Sequence, residues 1–296
     1  MNFLFWIIML LNTYEPWKFA FSAENDNIKE NSFGIIGVPF DSTTSYHSGA
    51  RSGPIVVREA SFGFEKFNTI FNKDLTATFY DFGDVNVIPG NCQKTCEIVE
   101  DTANELLDMN LKPIVIGGEH SASIGVIKAL SERHEKLTVV HLDAHRDLAF
   151  EFIGEKYSHA TVMRRAHEMG VSLVQIGIRS SSQDEEEFVK STYDIQTFKN
   201  RDVHKHMDAI EYYLTNIDGP IYISIDMDVM NPAIAPSVGN PTPGGLFVSE
   251  IENILETLCR KNIVGLDVVE TATNKLGEQT AVVAAKIIYD FLTLIE

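Results

Sequence analysis

From residue 33 onward, short runs of Ile, Val and Leu that are apolar at nearly every position alternate with longer stretches whose apolar residues recur at helical spacing. A strand that is apolar throughout is buried on both faces, as in a parallel sheet covered by helices. The pattern predicts strands at Phe33 to Phe40, Thr76 to Phe82, Pro113 to Ile116, Leu137 to Leu142, Leu173 to Ile178, Asp194 to Phe198, Ile221 to Ile225 and Ile263 to Val269. Helices are predicted at Thr95 to Met109, Ser123 to His134, Ala160 to Met169, Val203 to Thr215, Val248 to Arg260 and Thr280 to Leu294. Because no Pro, Gly or Ser-rich linker interrupts the alternation, residues 31–296 are expected to form one α/β domain. An open parallel sheet and a (β/α) barrel both satisfy the count, and in either one ligands gather at the carboxyl ends of the strands.

Charge narrows the partners. With 42 acidic side chains against 24 Lys and Arg, the formal charge is −18 and no stretch is concentrated in basic residues. Phosphate backbones are repelled, so nucleic acid is not an expected partner, whereas a cationic small molecule would be attracted. The three cysteines, Cys92, Cys96 and Cys259, lack paired Cys-x-x-Cys spacing and are expected to be reduced structural thiols in a cytoplasmic protein. The apolar run Phe3 to Leu11 has no Lys or Arg before it and is too short to cross a bilayer. Ala20-Phe21-Ser22 resembles a small-x-small cleavage site, so a cleaved signal peptide is the alternative, but residues 1–30 are expected to dock an apolar side on the main domain or a neighbouring subunit. The acidic run Asp184 to Glu187 reads as a solvated helix start.

Chemistry-bearing residues concentrate where predicted strands end. Asp143, His145 and Asp147 occupy alternate positions after one strand, Asp226 and Asp228 follow a second, and His120 follows the paired glycines Gly117 and Gly118 after a third. In extended chain, alternate side chains point to one side. Any one of these fragments is more often a cap or a loop hydrogen bonder. Together, four Asp and two His at neighbouring strand ends would be very costly without cations. Mixed imidazole and carboxylate ligation suits Mn²⁺, with Fe, Co, Ni or Zn possible, and bridging carboxylates hold metal pairs that lower the pKa of a shared water.

Gly117-Gly118-Glu119-His120, Asp143-Ala144-His145-Arg146-Asp147 and the stretch from Ser224 through Asp226, Asp228 and Pro232 to Pro236 resemble the signatures of the ureohydrolases, the arginases and agmatinases. The resemblance begins near Gly37-Val38-Pro39-Phe40-Asp41 and continues to Asp267-Val268-Val269-Glu270 and the final helix. It implies a three-layer α/β/α sandwich around a mostly parallel eight-stranded sheet, which selects the open sheet over the barrel. It also implies two Mn²⁺ per subunit, one held by His120, Asp143, Asp147 and Asp226, the other by Asp143, His145, Asp226 and Asp228. His159 would be the proton shuttle, Asp147 would orient the attacking hydroxide, and Glu270 would bind the guanidinium. Family members commonly form trimers or hexamers.

The segment Leu148 to Tyr157 contains no Asn or Ser of the kind arginases use for the substrate's α-carboxylate and α-amino groups, and it resembles the agmatinase loop. The expected reaction is therefore agmatine to putrescine and urea, a step of polyamine biosynthesis, with Glu151 or Glu155 in an acidic mouth. Arginase, guanidinobutyrase and formiminoglutamase activities are the alternatives within the family. A zinc deacetylase and an inactive assembly subunit are the alternatives outside its chemistry. Asn231 and Ser237-Val238-Gly239-Asn240-Pro241 depart from the family pattern, and Arg146 is expected to point away from the metals into a structural ion pair.

Overall fold

In the computed structural model, which describes residues 10–14 and 17–295, the expected alternation becomes a nine-stranded sheet. Its strands are β1 (Thr13–Tyr14), β2 (Phe33–Val38), β5 (Phe79–Val85), β6 (Lys112–Gly117), β7 (Thr138–Leu142), β8 (Ser172–Ile178), β9 (Ile195–Lys199), β10 (Ile221–Asp226) and β11 (Ile263–Val269). The spatial order is β1-β5-β2-β6-β11-β10-β7-β8-β9. Every neighbouring pair is parallel except β1 with β5. Eight of these strands are the predicted ones. The addition is β1, two residues without an apolar run to mark them, which pair with Val85 and Asp84 at the sheet edge. A separate two-stranded ribbon joins β3 (Phe67–Asn68) to β4 (Lys73–Asp74).

The helices are α1 (Gly53–Ser61), α2 (Cys92–Asp108), α3 (Ala122–Arg133), α4 (Val162–Glu168), α5 (Gln183–Lys190), α6 (Asn200–Val203), α7 (Met207–Thr215), α8 (Val248–Leu258) and α9 (Gln279–Leu294). Successive strand residues feed opposite faces. Ile114, Ile116, Val140 and Leu142 join a core with α1, α7, α8 and α9, while Val115, Val139 and Leu173 join another with α2, α3 and α4. This is the three-layer sandwich. The predicted helix Val203 to Thr215 is interrupted: α6 stops at Val203, and the polar residues His204 to His206 turn before α7 begins. The run Phe3 to Leu11 lies outside the described residues, save Leu10, which is buried, and Leu11, which is exposed.

One buried ionic knot ties the amino-terminal segment to this frame. Arg58 of α1 donates to both carboxylate oxygens of Asp81 on β5, at 2.8 and 2.9 Å, and also to Asp84. The Phe19 N–H donates to Asp81 at 2.7 Å and the Ala20 N–H to Ser61 Oγ at 2.8 Å.

Candidate metal centre and catalytic cleft

The central strands β6, β11, β10 and β7 lie side by side, and their carboxyl ends deliver His120, Glu270, Asp226 and Asp143 to one place. Such convergence at parallel strand ends is where open α/β sheets hold ligands. Gly118 makes the turn after β6 possible, since a Cβ there would lie 2.0 Å from the Phe40 carbonyl oxygen. Its N–H donates to Val38 O and its carbonyl accepts from Glu270 N, both at 2.7 Å, which locks the β6 and β11 ends together.

His120 Nδ1 lies 3.3 Å from Asp143 Oδ2, 3.1 Å from Asp147 Oδ2 and 3.1 Å from Asp226 Oδ2. His145 Nδ1 lies 3.0 Å from Asp228 Oδ2 and 3.5 Å from Asp143 Oδ1. Two adjoining groups that share Asp143 have donor atoms close enough to hold a metal ion, His120, His141, Asp143 and Asp147 in one and Asp143, His145 and Asp228 in the other. Asp226, expected to bridge, falls in neither group but lies beside His120, and His141 was not among the expected ligands. The path to that arrangement differs from simple extended alternation. Asp147 has φ 52° and Glu270 φ 65°, both left-handed, while Asp226 opens a short 3₁₀ turn and its carboxylate accepts the Asp228 N–H at 2.8 Å.

The electrostatics of the cluster favour a bound cation. Burial, then the carboxylates of Asp228 and Asp143, push the Asp226 carboxyl well above its ordinary range, and burial with Asp143 pushes Asp228 up to about 6. Burial also raises Glu270, with Glu119 adding to it. Burial opposes charge on His145, yet Asp228 and Asp143 hold its pKa up at about 12. Asp143, Asp147, Asp226, Asp228 and Glu270 are too many carboxylates for these imidazoles to balance. His120 Nδ1 is buried and has no hydrogen-bond partner among the described residues. An orphaned imidazole nitrogen facing several carboxylates fits a divalent cation of the oxygen and nitrogen preferring class.

Above the cluster opens a cleft of about 350 Å³ whose wall includes His159, Phe152, Ser45, Asn240, Glu185 and Glu270. His159 Nε2 lies 3.1 Å from Ser45 Oγ, and the Phe152 ring meets the His159 ring edge to face, centroids 5.2 Å apart. Glu151 and Glu155, the residues expected in an acidic mouth, are exposed and do not line the cleft. They sit beside a tight turn, Ile153 and Gly154 at positive φ, which turns Phe152 toward His159. The acidic run does start a helix, α5, with a capping box between Ser182 and Glu185, and Glu185 in addition lines the cleft. Arg146 does point away from the cluster, its Nε donating to Glu186 at 2.6 Å.

Over residues 31–293 the sequence matches the model of the arginase family. The chain belongs to the arginase family. Among ureohydrolases, it is 38% identical to the N(1)-aminopropylagmatine ureohydrolase of Thermococcus kodakarensis over 94% of this chain and 95% of that protein. It is 35% identical to the agmatinase of Pyrococcus horikoshii over 95% of this chain and 97% of that one. The structure of agmatine ureohydrolase of Thermoplasma volcanium matches with a TM-score of 0.83 at 31% identity, covering 95% of this chain and 94% of that chain. An arginase-family hydrolase similar to agmatinases is therefore what the fold and the comparisons describe.

Several residues of this arginase-family site escaped sequence reasoning. His120 Nε2 pairs with Ser224 Oγ at 2.9 Å; Ser224 donates to Asp267 at 2.8 Å, as does the Tyr222 hydroxyl at 2.7 Å. His141, two positions before Asp143, places Nε2 2.7 Å from its carboxylate, and Gln175 links His141 to Arg146. Such outer partners fix imidazole and carboxylate orientation. Arg179 gathers the Thr242, Asp228 and Met230 carbonyls, and the Thr242 hydroxyl reaches His145 Nε2 at 3.3 Å. The period-two spacing that marks Asp143 extends back to His141, and Ser224 stands two before Asp226. Arg179 carries no comparable local signal.

Proposed function

We propose that this protein hydrolyses agmatine to putrescine and urea, with Mn²⁺ as the metal, in cytoplasmic polyamine biosynthesis. The observation that carries the proposal is the convergence of His120, Asp143, His145, Asp147, Asp226 and Asp228 beside the buried Glu270 carboxylate. His120, Asp143, Asp147 and Asp226 would hold one ion, and Asp143, His145, Asp226 and Asp228 the other. When bound, such a pair supplies a strong water-derived nucleophile at neutral pH.

The chain's own residues do the rest. Glu270 accepts the guanidinium N–H groups, so that the planar cation is presented in one orientation. Asp147 accepts a hydrogen bond from the attacking oxygen and aims it at the guanidinium carbon. Addition makes that carbon tetrahedral, and collapse breaks its bond to the alkyl-bearing nitrogen. His159 delivers a proton to that nitrogen, which leaves as the amine of putrescine. Glu185 lines the cleft while its carboxylate accepts the Leu148 and Ser182 N–H groups at 3.0 and 2.8 Å, and its negative charge would favour the distal ammonium, the role expected from the sequence for Glu151 or Glu155. The relatives named agmatinase and the absence of Asn and Ser from Leu148 to Tyr157 support this substrate.

Residues 31–296 are read as one catalytic domain and residues 1–30 as a docked segment, and assembly as a homotrimer or homohexamer is proposed from the family. Three free cysteines agree with a reducing compartment. Among the described residues no helix is long and apolar enough to cross a membrane.

Urea release with added Mn²⁺ from agmatine, arginine, 4-guanidinobutanoate and formiminoglutamate tests the substrate. Agmatine is expected to give the highest kcat/KM, and preference for any of the others overturns the assignment. N(1)-aminopropylagmatine belongs in the same series because of the relative from Thermococcus kodakarensis, and a higher kcat/KM for it would move the reading to that longer polyamine. Glu270→Gln is expected to lower kcat/KM for agmatine by about a hundredfold or more.

A further inference from the structure

A single hydroxyl connects a buried carboxylate to the imidazole read above as the proton shuttle. Thr43 follows β2. Its Oγ1 makes a short hydrogen bond to Glu119 Oε1, and its N–H donates to Glu119 Oε2 at 2.7 Å. On the other side the same Oγ1 accepts the His159 backbone N–H at 3.0 Å and lies 3.3 Å from His159 Nδ1. Glu119 is fully buried and takes another donor, Ser121 Oγ, at 2.5 Å.

Hydrogen-bond accounting then leaves little freedom. A carboxylate has acceptors and no donor, so the one proton of the Thr43 hydroxyl is committed to Glu119. Both hydroxyl lone pairs face His159. One takes the backbone N–H, and Nδ1 can meet the other only as a donor. A neutral imidazole carries one ring proton, so placing it on Nδ1 leaves the lone pair on Nε2. At Nε2 the Ser45 hydroxyl, which accepts from Asn240 Nδ2 at 3.2 Å, has two acceptors for its own proton, Nε2 at 3.1 Å and the more distant Asn240 Oδ1 at 3.4 Å, and a lone pair on Nε2 lets it take the nearer. Asn240, a departure from the family pattern, thereby has a place in the network.

We propose that Thr43, itself held by Glu119, is a positioning residue that fixes neutral His159 as the Nδ1–H tautomer and so makes Nε2, on the Ser45 side of the cleft, the basic nitrogen. The proposal deepens the reading of His159 as proton shuttle and rests on it. A purely structural Thr43 would stitch the loop after β2 to the helix start at His159 without selecting a tautomer.

Neutron diffraction from crystals of the manganese-loaded protein, exchanged into heavy water at about pH 9 where an ordinary imidazole is neutral, reads the tautomer directly. A deuteron on His159 Nδ1 and none on Nε2 is expected. A deuteron on Nε2, alone or with one on Nδ1, overturns the proposal. In steady-state assays Thr43→Val, which keeps the shape and loses the hydroxyl, is expected to lower kcat for agmatine about tenfold or more with KM changed less than about threefold, and Thr43→Ser to recover most of that kcat. An unchanged kcat in Thr43→Val, or no recovery in Thr43→Ser, overturns it. Should Thr43→Val fail to fold, the wild-type neutron map and Thr43→Ser still decide. His159→Asn separates the two layers: if it leaves urea release unchanged, the shuttle reading fails, and with it the proposal. If it slows urea release while the map shows Nε2 protonated, the tautomer proposal alone fails.

Discussion

Asp147 and Glu270 hold left-handed backbone conformations that cost an ordinary L-residue about 1–2 kcal/mol. Strain of this kind persists where surrounding contacts over-determine it, and here they are visible. Asp147 O accepts from Arg164 N at 3.1 Å, and Glu270 N donates to Gly118 O at 2.7 Å. Gly239 supplies a sharp test of Glu270, because a Cβ added there would lie 2.5 Å from Glu270 Oε2. Gly239→Ala is expected to raise KM for agmatine about tenfold, roughly 1.4 kcal/mol of lost binding, with little change in melting temperature. An unchanged KM would show that Glu270 does not hold the guanidinium. At this scale the residue types were legible in the sequence and their backbone was not. A spacing of two serves both extended chain and the 3₁₀ turn at Asp226 to Asp228, so the sequence could point to Asp143, His145 and Asp147, which the structure brings near one another, without revealing how Asp147 turns in.

Among elements, α5 shows how a polar stretch can be read half correctly. Its capping box, Ser182 with Glu185, is a sequence-visible start signal. That Glu185 would reach the cleft and Glu186 the buried face of Arg146 depends on β8 and β7 lying side by side, which no local pattern contains. The Arg146 guanidinium holds the Glu186 carboxyl down at about 2. A carboxyl whose pKa falls on folding stabilises the native state above its unfolded value, near 4.3. That contribution disappears as pH drops through the folded value. Glu186→Gln should therefore melt below wild type at pH 6, with the gap closing between about pH 4.5 and pH 2 in thermal melts. Arg58 in α1 predicts a larger effect: Arg58→Ala leaves Asp81 and Asp84 buried without their cation and should cost about 3–5 kcal/mol in denaturant titrations. Helix α1 itself was missed by apolar periodicity, although Pro54 in its first turn is a start signal.

The molecule as a whole carries −18 charges, and its densest group of buried carboxylates lies at the sheet centre. Ions bound there should stabilise the fold by mass action, about 2.7 kcal/mol per site at a hundredfold excess over Kd. Chelation is expected to lower the melting temperature by several degrees and added Mn²⁺ to restore it, followed by calorimetry. No change on chelation would mean that the cluster holds no ion in the native protein. The parallel, doubly covered sheet was readable because uninterrupted apolar runs have few other uses. The choice of an open sheet over a barrel came from resemblance, and the edge strand β1 left no mark in the sequence.

Chain order and spatial order disagree at one decisive place. Strand β11, made after all the others in the sheet, is the one that sits between β6 and β10. A nascent chain that has reached residue 260 would have two half-sheets with raw inner margins and no Glu270 between them. Such margins invite pairing with other chains. The ligand set that draws on both halves, His120 after β6 with the Asp residues after β7 and β10, would therefore be complete only once translation has delivered the closing segment, and ribosome-stalled intermediates are expected to take up less Mn²⁺ than the finished chain and to depend unusually on chaperones.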